Sequence, residues 1–202
     1  MSAPSLEPRP VELHGSYVTL APLREKDAPE LASVACEPSG WDYMSRGPLV
    51  DAADARAYIA GAWSERHAVL FGIREHPSGR LVGVTRFFEV RPAHRGLEIG
   101  HTWLAPAARR RAINTAAKRL LLAEAFESLG ALRVQMKTDA RNLASQRAIE
   151  RLGATKEGVL RQHMIVREGY VRDTVMYSIV ADEWPALRAR LDERLARGPQ
   201  ET

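Results

Sequence analysis

Three consecutive arginines stand where a predicted strand gives way to a predicted helix. Arg109, Arg110 and Arg111 follow the apolar run 97–104 and precede an amphipathic segment that begins at Ala112. The first amide groups of a helix have no acceptor within it, and the helix dipole favours an anion there. A basic loop at such a point is typical of a pyrophosphate site. An arginine run alone is more often a solvated turn, so that interpretation stays open here.

A second segment with functional potential lies one predicted strand further along the chain. Residues 142–152 are predicted to form a short helix that Gly153 closes. Asn142 and Ser145 lie at its start. A serine in the first turn of a helix can serve a ligand, but it can equally serve the helix backbone.

The elements that position these segments follow from hydrophobic periodicity. Strands are predicted at residues 17–23, 68–73, 81–88, 97–104, 132–136, 155–166 and 171–180. Helices are predicted to begin near residues 28, 51, 112, 142 and 183. The long helix 112–129 joins two strands in a crossover that should be parallel and right-handed. The fold class is therefore α/β, with a mixed, mostly antiparallel sheet of about seven strands flanked by helices.

Length and composition narrow the class of protein further. The chain has 202 residues, a net charge of +4 and one cysteine, Cys36. These values predict one folded domain over residues 11–197, with flexible segments at 1–10 and 198–202. The mild positive charge fits an anionic small ligand better than nucleic acid. A lone cysteine and the lack of a long apolar run predict a cytoplasmic protein without a disulfide, metal site or membrane segment.

The two segments together resemble the GCN5-related N-acetyltransferases (GNAT), and more narrowly the RimJ/RimL-like branch that acetylates ribosomal-protein N-termini. In the cofactor loop of that family, Gln or Arg is followed by two residues, Gly, one residue, and Gly or Ala. Arg109, Ala112 and Asn114 occupy these places, so both glycines are replaced. The stretches 113–118, 142–154 and 169–184 are similar to the branch, and the resemblance covers nearly the whole chain.

The resemblance implies a fold in which two central strands splay apart at a bulge, so that the pantetheine arm of acetyl-CoA inserts between them. Freed N–H groups of residues 97–104 would then hold the thioester carbonyl. Gly100 is consistent with a bulge there. The implied co-substrate is acetyl-CoA, without a metal. Its implied contacts are Trp103, Leu104, Arg109, Arg110, Arg111, Ala112, Ile113, Asn114, Thr115 and Asn142.

Acetyl transfer to an amine implies two catalytic groups. An ammonium must lose a proton before it attacks, and Glu98 is the first candidate for the base, although it could equally form an ion pair with an arginine. The departing thiolate needs a proton donor. Many family members use a tyrosine where this chain has Ile149, which leaves Ser145. The predicted acceptor contacts are Trp41, Tyr43, His101, Tyr170 and Asp173, although aromatic loop residues more often anchor a loop to the core.

The predicted function is acetyl transfer from acetyl-CoA to a primary amine, on a protein N-terminus or a small molecule, by direct attack in a ternary complex. The expected partner is that amine acceptor, with no nucleic acid and no membrane, and a homodimer is left open. One alternative is a catalytically inactive CoA sensor, because the loop glycines and the tyrosine are absent. A basic nucleic-acid-binding protein is less favoured, since no helix-turn-helix or zinc-finger pattern is present.

Overall fold

The computed structural model describes residues 6–198 and contains one eight-stranded sheet. The spatial order is β1-β2-β3-β4-β5-β6-β8-β7, and every neighbouring pair is antiparallel except β5 and β6. The strands are β1 (Leu13–His14), β2 (Val18–Pro22), β3 (Val69–Glu75), β4 (Leu81–Arg91), β5 (Gly96–Leu104), β6 (Arg133–Asp139), β7 (Thr155–Ile165) and β8 (Val171–Val180). The predicted mixed sheet is confirmed, and the strand that was not predicted is the two-residue β1.

Five α-helices flank the sheet, in the predicted order. They are α1 (Ala28–Val34), α2 (Ala52–Ser64), α3 (Ile113–Ala123), α4 (Leu143–Leu152) and α5 (Trp184–Ala196). Helix α3 continues as a π-helical segment, Glu124–Ser128. Helix α4 ends at Gly153, whose φ of 96° is a conformation that favours glycine. Within residues 6–198, no helix is both long enough and apolar enough to cross a membrane.

The sheet carries a hydrophobic core on each face. The main core packs α3, α4 and α5 against side chains such as Phe87, Ile99 and Tyr177. The second core packs α1 and α2 against the opposite face, where Val84 and Trp103 point. Because successive strand residues point to opposite faces, β4 and β5 contribute to both cores. Strands β4 and β5 are therefore packed on both faces.

One residue of the segment that was predicted to be flexible packs into the core. Residues 1–10 were expected to be flexible, but Leu6 is fully buried in the main core. Burial of the Leu6 side chain stabilises its position against the core, whereas Glu7, Arg9 and Pro10 are exposed. Residues 1–5 and 199–202, which belong to the predicted flexible ends, lie outside the described residues.

Strands β5 and β6 pair only at their beginnings. Their ladder consists of Gly96 with Arg133, Leu97 with Val134, and Glu98 with Gln135, after which the two strands separate. Strand β5 also contains a bulge opposite β4, where the register shifts by one residue beside His101. His101 has a φ of 47°, which bends β5 away from a regular path. The predicted splayed pair and bulge are both present, and they open the sheet at its centre.

Candidate active site

A cavity of about 660 Å³ occupies the opening between β5 and β6. Its wall combines the second halves of both strands with the start of α3 and one face of α4. Asn114 comes from α3, and Ser145 and Ile149 come from α4. This volume lies within the roughly 300–1,000 Å³ range of small-molecule sites. The opening of the sheet is therefore large enough to hold part of an extended ligand together with a second, smaller one.

The start of α3 offers free amide groups beside this cavity. The first helical hydrogen bond runs 2.9 Å from the Ala116 amide to the Ala112 carbonyl. The amides of residues 113–115 therefore have no acceptor inside the helix. Ala112 has φ −63° and ψ −13°, a conformation that any residue adopts. Alanine in place of the family's glycine thus imposes no backbone strain at this position, and the helix end can bind an anion.

The three arginines of the preceding loop have different environments. Arg109 donates from Nε to the Leu104 carbonyl at 2.9 Å and from Nη1 to the Ser39 hydroxyl at 3.0 Å. Arg111 donates to Glu75 at 2.8 Å. Arg110 is exposed and forms no ion pair or hydrogen bond with any other residue in the range 6–198. Arg109 and Arg111 brace the loop, and Arg110 is the arginine with an uncommitted charge.

Glu98 lies at the point where β5 and β6 separate. Its side chain is 1% exposed, accepts a hydrogen bond from Gln135 Nε2 at 2.8 Å, and forms an ion pair with Lys137 at 3.1 Å. Lys137 also contacts Glu89 at 2.6 Å. Burial raises the pKa of the Glu98 carboxyl, and the Lys137 charge partly opposes that shift. The ionic partner of Glu98 is therefore a lysine, where the sequence suggested an arginine.

Ser145 and Asn142 make different contacts at the start of α4. The Asn142 side-chain oxygen accepts a hydrogen bond from the Ser145 amide at 3.0 Å and so caps the helix. The Ser145 hydroxyl has no hydrogen-bond partner in the part of the chain that the structure describes. Both residues line the cavity. Ser145 therefore presents a free hydroxyl there, whereas Asn142 uses its oxygen for the backbone.

Lys118 is a cavity residue that sequence reasoning did not single out. It is 5% exposed, and its ammonium donates to Thr85 Oγ1 at 3.1 Å and to Thr102 Oγ1. Burial lowers the pKa of Lys118 to about 7. A signal was available, because Lys118 follows Asn114 by four residues and precedes Leu121 by three, which places it on the buried face of α3. A lysine on the buried face of a helix indicates that this part of the face borders a polar cavity.

His101 is the predicted acceptor contact that lines the cavity at the bulge of β5. Its ring meets Phe88 edge to face, with ring centroids 4.9 Å apart. Burial lowers the pKa of His101 to about 3, and the charges of Arg86, Lys137 and Arg172 act in the same direction. The imidazole is therefore neutral at ordinary pH, and it can contact a ligand without adding charge.

Two predicted aromatic contacts, Tyr43 and Tyr170, both lie near the guanidinium of Arg141. Arg141 lies 3.4 Å from the Tyr170 ring centroid and 5.6 Å from that of Tyr43. Of the two tyrosines, Tyr43 belongs to the cavity wall. The structure thus joins the loop before α2 to the turn between β7 and β8 through cation–π contacts. These contacts hold the two segments against each other beside the cavity wall, to which Tyr43 belongs.

Other predicted site residues lie away from the cavity. Trp41 is 1% exposed and stacks on Trp103 with centroids 5.6 Å apart, so it anchors its loop to the second core. Asp173 accepts a hydrogen bond from the Gln162 amide at 2.7 Å and supports strand β7. Ile113 and Thr115 are buried in α3.

Five of the predicted cofactor contacts do belong to the cavity wall. They are Trp103, Leu104, Arg109, Asn114 and Asn142.

The cavity wall includes charged residues of β6 and β8 that the sequence analysis did not select. They are Lys137, Asp139 and Arg172. Lys137 and Asp139 alternate with buried Met136 and Thr138, so a strand pattern that continued past residue 136 was the available signal. Because β6 was predicted to end at residue 136, Lys137 and Asp139 were assigned to a loop, whereas Arg172 lay within the predicted strand 171–180.

An opened sheet that has free helix amides and a buried carboxylate beside one cavity suits an acyltransferase. The comparison with protein families agrees with that class. Residues 18–155 match the model described as "Acetyltransferase (GNAT) domain". The chain therefore belongs to the GNAT acetyltransferase family and is an enzyme of the acyltransferase class.

Individual relatives agree with this assignment. YdaF of Bacillus subtilis (strain 168), provisionally named a ribosomal N-acetyltransferase, is 31% identical over 175 residues, which cover 83% of this chain and 93% of YdaF. A GCN5-related N-acetyltransferase from Brucella melitensis has a TM-score of 0.89 and 29% identity, covering 95% of this chain and 88% of that one. RimJ of Mycobacterium smegmatis, solved with CoA-disulfide, has the same fold, with a TM-score of 0.78, 23% identity, and coverage of 95% and 98%. The predicted resemblance to the RimJ/RimL-like branch is confirmed.

Proposed function

We propose that this enzyme transfers an acetyl group from acetyl-CoA to a primary amine by direct attack in a ternary complex. One observation carries the proposal: Glu98 and Ser145 line the same cavity from different sides. Ser145 is on α4, which packs against the main-core face of the sheet. Glu98 is next to Leu97 and Ile99, which point into that core, so the Glu98 side chain points to the other face. A proton acceptor and a proton donor thus flank the opening.

The residues around the opening fit acetyl-CoA. The free amides at the start of α3 and the charge of Arg110 suit a pyrophosphate. The unpaired edges of β5 and β6 beyond Glu98 and Gln135 suit the amide groups of a pantetheine arm, which would complete the interrupted ladder. When bound, acetyl-CoA supplies a thioester whose acyl group passes to the amine nitrogen with release of the thiol.

Glu98 is the proposed proton acceptor. Its carboxyl is buried, so its pKa is raised toward the range in which a carboxylate takes a proton effectively. Lys137 and Gln135 hold the carboxylate in place by an ion pair and a hydrogen bond. The attacking amine would lose its proton to a Glu98 oxygen, directly or through a water molecule.

Ser145 is the proposed proton donor to the departing sulfur. Its hydroxyl lines the cavity and is not committed to another described residue. The hydroxyl proton would pass to the sulfur, and the serine oxygen would be reprotonated through solvent, which receives the proton that Glu98 took from the amine. Ile149, which stands where many relatives have a tyrosine, is apolar and 92% buried, so it cannot donate a proton to the sulfur.

For the acceptor, the provisional name of YdaF suggests a protein N-terminus. A small-molecule amine fits the same chemistry, because the reacting group is a primary amine in both cases. We place this enzyme in the cytoplasm, where it would meet either kind of acceptor. The part of the cavity wall that contains Tyr43, whose ring lies 5.6 Å from the Arg141 guanidinium, is the proposed entrance for the amine.

The direct test is an incubation of the purified protein with acetyl-CoA and a panel of amines, followed by thiol release and by mass spectrometry of each acceptor. We expect acetyl-CoA-dependent acetylation of at least one amine class. Tight binding of CoA without transfer to any N-terminal peptide or small amine would support the CoA sensor instead. Slow thiol release without an acetylated acceptor would indicate hydrolysis and would also contradict the proposal.

A further inference from the structure

Arg172 carries a buried guanidinium that forms no side-chain hydrogen bond or ion pair with any residue in the range 6–198. It lies on β8, is 8% exposed and lines the cavity. Its Nε atom is buried and has no hydrogen-bond partner, and no carboxylate of residues 6–198 lies within 4.0 Å of its nitrogens. An arginine stays charged even when buried, and an unpaired buried charge is costly. An anion from outside the chain would remove that cost.

The carboxylates that act on Arg172 electrostatically are already engaged. Asp139 accepts hydrogen bonds from the Arg141 amide and guanidinium at 2.8, 3.1 and 2.9 Å. Glu98 is held by Gln135 and Lys137. Neither carboxylate can turn toward Arg172 without losing its own contacts. The positive charge of Arg172 is therefore available to a ligand.

The position of Arg172 on the sheet indicates which ligand it faces. On β8, Val175, Tyr177 and Ile179 point into the main core beneath α3 and α4. Arg172 is an odd number of residues from each of them, so it points to the opposite face. That face carries Glu98, the proposed base. Arg172 is thus on the side of the amine, whereas the free amides of α3 are on the other side.

We propose, on the basis of the function proposed above, that Arg172 binds a carboxylate carried by the acetyl acceptor while the acceptor's amine faces Glu98. A guanidinium matches a carboxylate with two parallel hydrogen bonds. The other charges near Arg172 on this face of the sheet are balanced, because Arg86 pairs with Glu65, Arg141 with Asp139, and Lys137 with Glu89 and Glu98. The neighbouring acidic groups disfavour a doubly charged phosphate and accommodate an ammonium.

A zwitterionic acceptor therefore fits the region: a carboxylate at Arg172 and an amine near Glu98. This chemistry can come from the α-carboxylate of a free amino acid or from the side chain of an acidic residue at a peptide N-terminus. His101, whose pKa burial lowers to about 3, is neutral and leaves this charge pattern unchanged. Acceptors that carry only an amine lack the second contact.

Matched acceptors test the proposal. Free amino acids are compared with their amides, and peptides beginning with Asp or Glu are compared with peptides beginning with Asn or Gln. For the wild type we expect kcat/KM to be at least about tenfold higher for the acceptor with the carboxylate than for its matched amide in one of these two sets. The set that shows the preference tells whether the carboxylate belongs to a free amino acid or to an acidic N-terminal side chain. In Arg172→Met this preference should disappear through a higher KM, with the affinity for CoA unchanged. Equal loss for both members of each pair would overturn the proposal.

A stability measurement makes the test independent of catalysis. Because Arg172 lacks an internal partner, Arg172→Met should keep or raise the melting temperature of the free protein. Arg86→Met is the matched control: Arg86 lines the same cavity but pairs with Glu65 at 2.8 Å, so its loss should lower the melting temperature. A lower melting temperature in Arg172→Met would assign Arg172 to the fold and overturn the proposal. If no amine is acetylated by the wild type, the proposed function fails, whereas acetylation without any carboxylate preference refutes only the role of Arg172.

Discussion

The Nζ atom of Lys118, a residue of the cavity wall, lies 3.1 Å from Oγ1 of Thr85 on β4, opposite the bulge of β5. Lys118 also donates to Thr102, and the two threonine hydroxyls lie 2.9 Å apart. No carboxylate among residues 6–198 lies within 4.0 Å of this ammonium. Two neutral hydroxyls compensate a buried charge poorly, so the neutral amine is favoured.

Replacement of Lys118 by Met should stabilise the protein at low pH. The folded pKa of Lys118 is about 7, below the ordinary 10.5, so the folded state binds fewer protons than the unfolded state between these values. The free energy of unfolding of the wild type should therefore rise with pH over that interval. In Lys118→Met this contribution should be absent, because Met does not titrate.

The measurement for Lys118 is urea unfolding of both proteins from pH 6 to pH 10. We expect a difference of several kcal/mol in favour of the variant at pH 6 that shrinks toward pH 10. Thr85 and Thr102 can still bond each other in the variant, which limits the cost of the substitution. A difference that does not change with pH would show that Lys118 titrates normally.

Replacement of Glu98 by Gln should lower kcat/KM by about a hundredfold at neutral pH, because the amine loses its proton acceptor. The wild-type rate should fall as pH drops through the raised pKa of Glu98, where the carboxyl becomes protonated. The loss in the variant should shrink at high pH, where the amine arrives already deprotonated. A variant with the pH profile of the wild type would exclude Glu98 as the base.

Replacement of Ser145 by Ala should reduce turnover about tenfold or more and leave the affinity for CoA unchanged, because only the proton donor is removed. Asn142→Ala is the control. It removes the cap of α4 and should cost about 1 kcal/mol of stability. If Ser145→Ala loses stability instead of turnover, the serine has a structural role.

Replacement of Arg110 by Ala should weaken CoA binding several-fold, because Arg110 is the loop arginine whose charge is uncommitted. Charge contacts near a helix start contribute about 0.3–1 kcal/mol and are screened by salt. The effect should therefore be largest at low ionic strength. Arg111→Ala, which removes a residue bound to Glu75, should have the smaller effect. Equal affinities for all three proteins would remove the loop charges from cofactor binding.

Local patterns in the sequence predicted the elements that hold the site. The apolar spacing of α3 and the stop at Gly153 gave both helices close to their observed bounds. The opening between β5 and β6 came from the family resemblance, since no periodicity marks where two strands stop pairing. The short β1 has only two residues, too few for alternation to be visible.

Contacts between distant residues could not be predicted from local patterns. Trp41 stacks on Trp103, which lies on a strand far along the chain, and this packing removes Trp41 from the predicted acceptor site. The isolation of Arg172 depends on which carboxylates its neighbours already hold, and only the assembled sheet shows that. Leu6 was assigned to a flexible segment because its proline-rich surroundings carry no element signal.

The central claim is that the opening between β5 and β6 holds the CoA thioester, and calorimetric titration with CoA tests it most directly. Three proteins are compared: the wild type, Ala148→Trp, which fills the opening from α4, and Ala189→Trp on the exposed side of α5 as the control. We predict saturable binding to the wild type and the control, and at least tenfold weaker binding to a folded Ala148→Trp. Absence of binding to the wild type, or equal affinity in all three proteins, would contradict the claim.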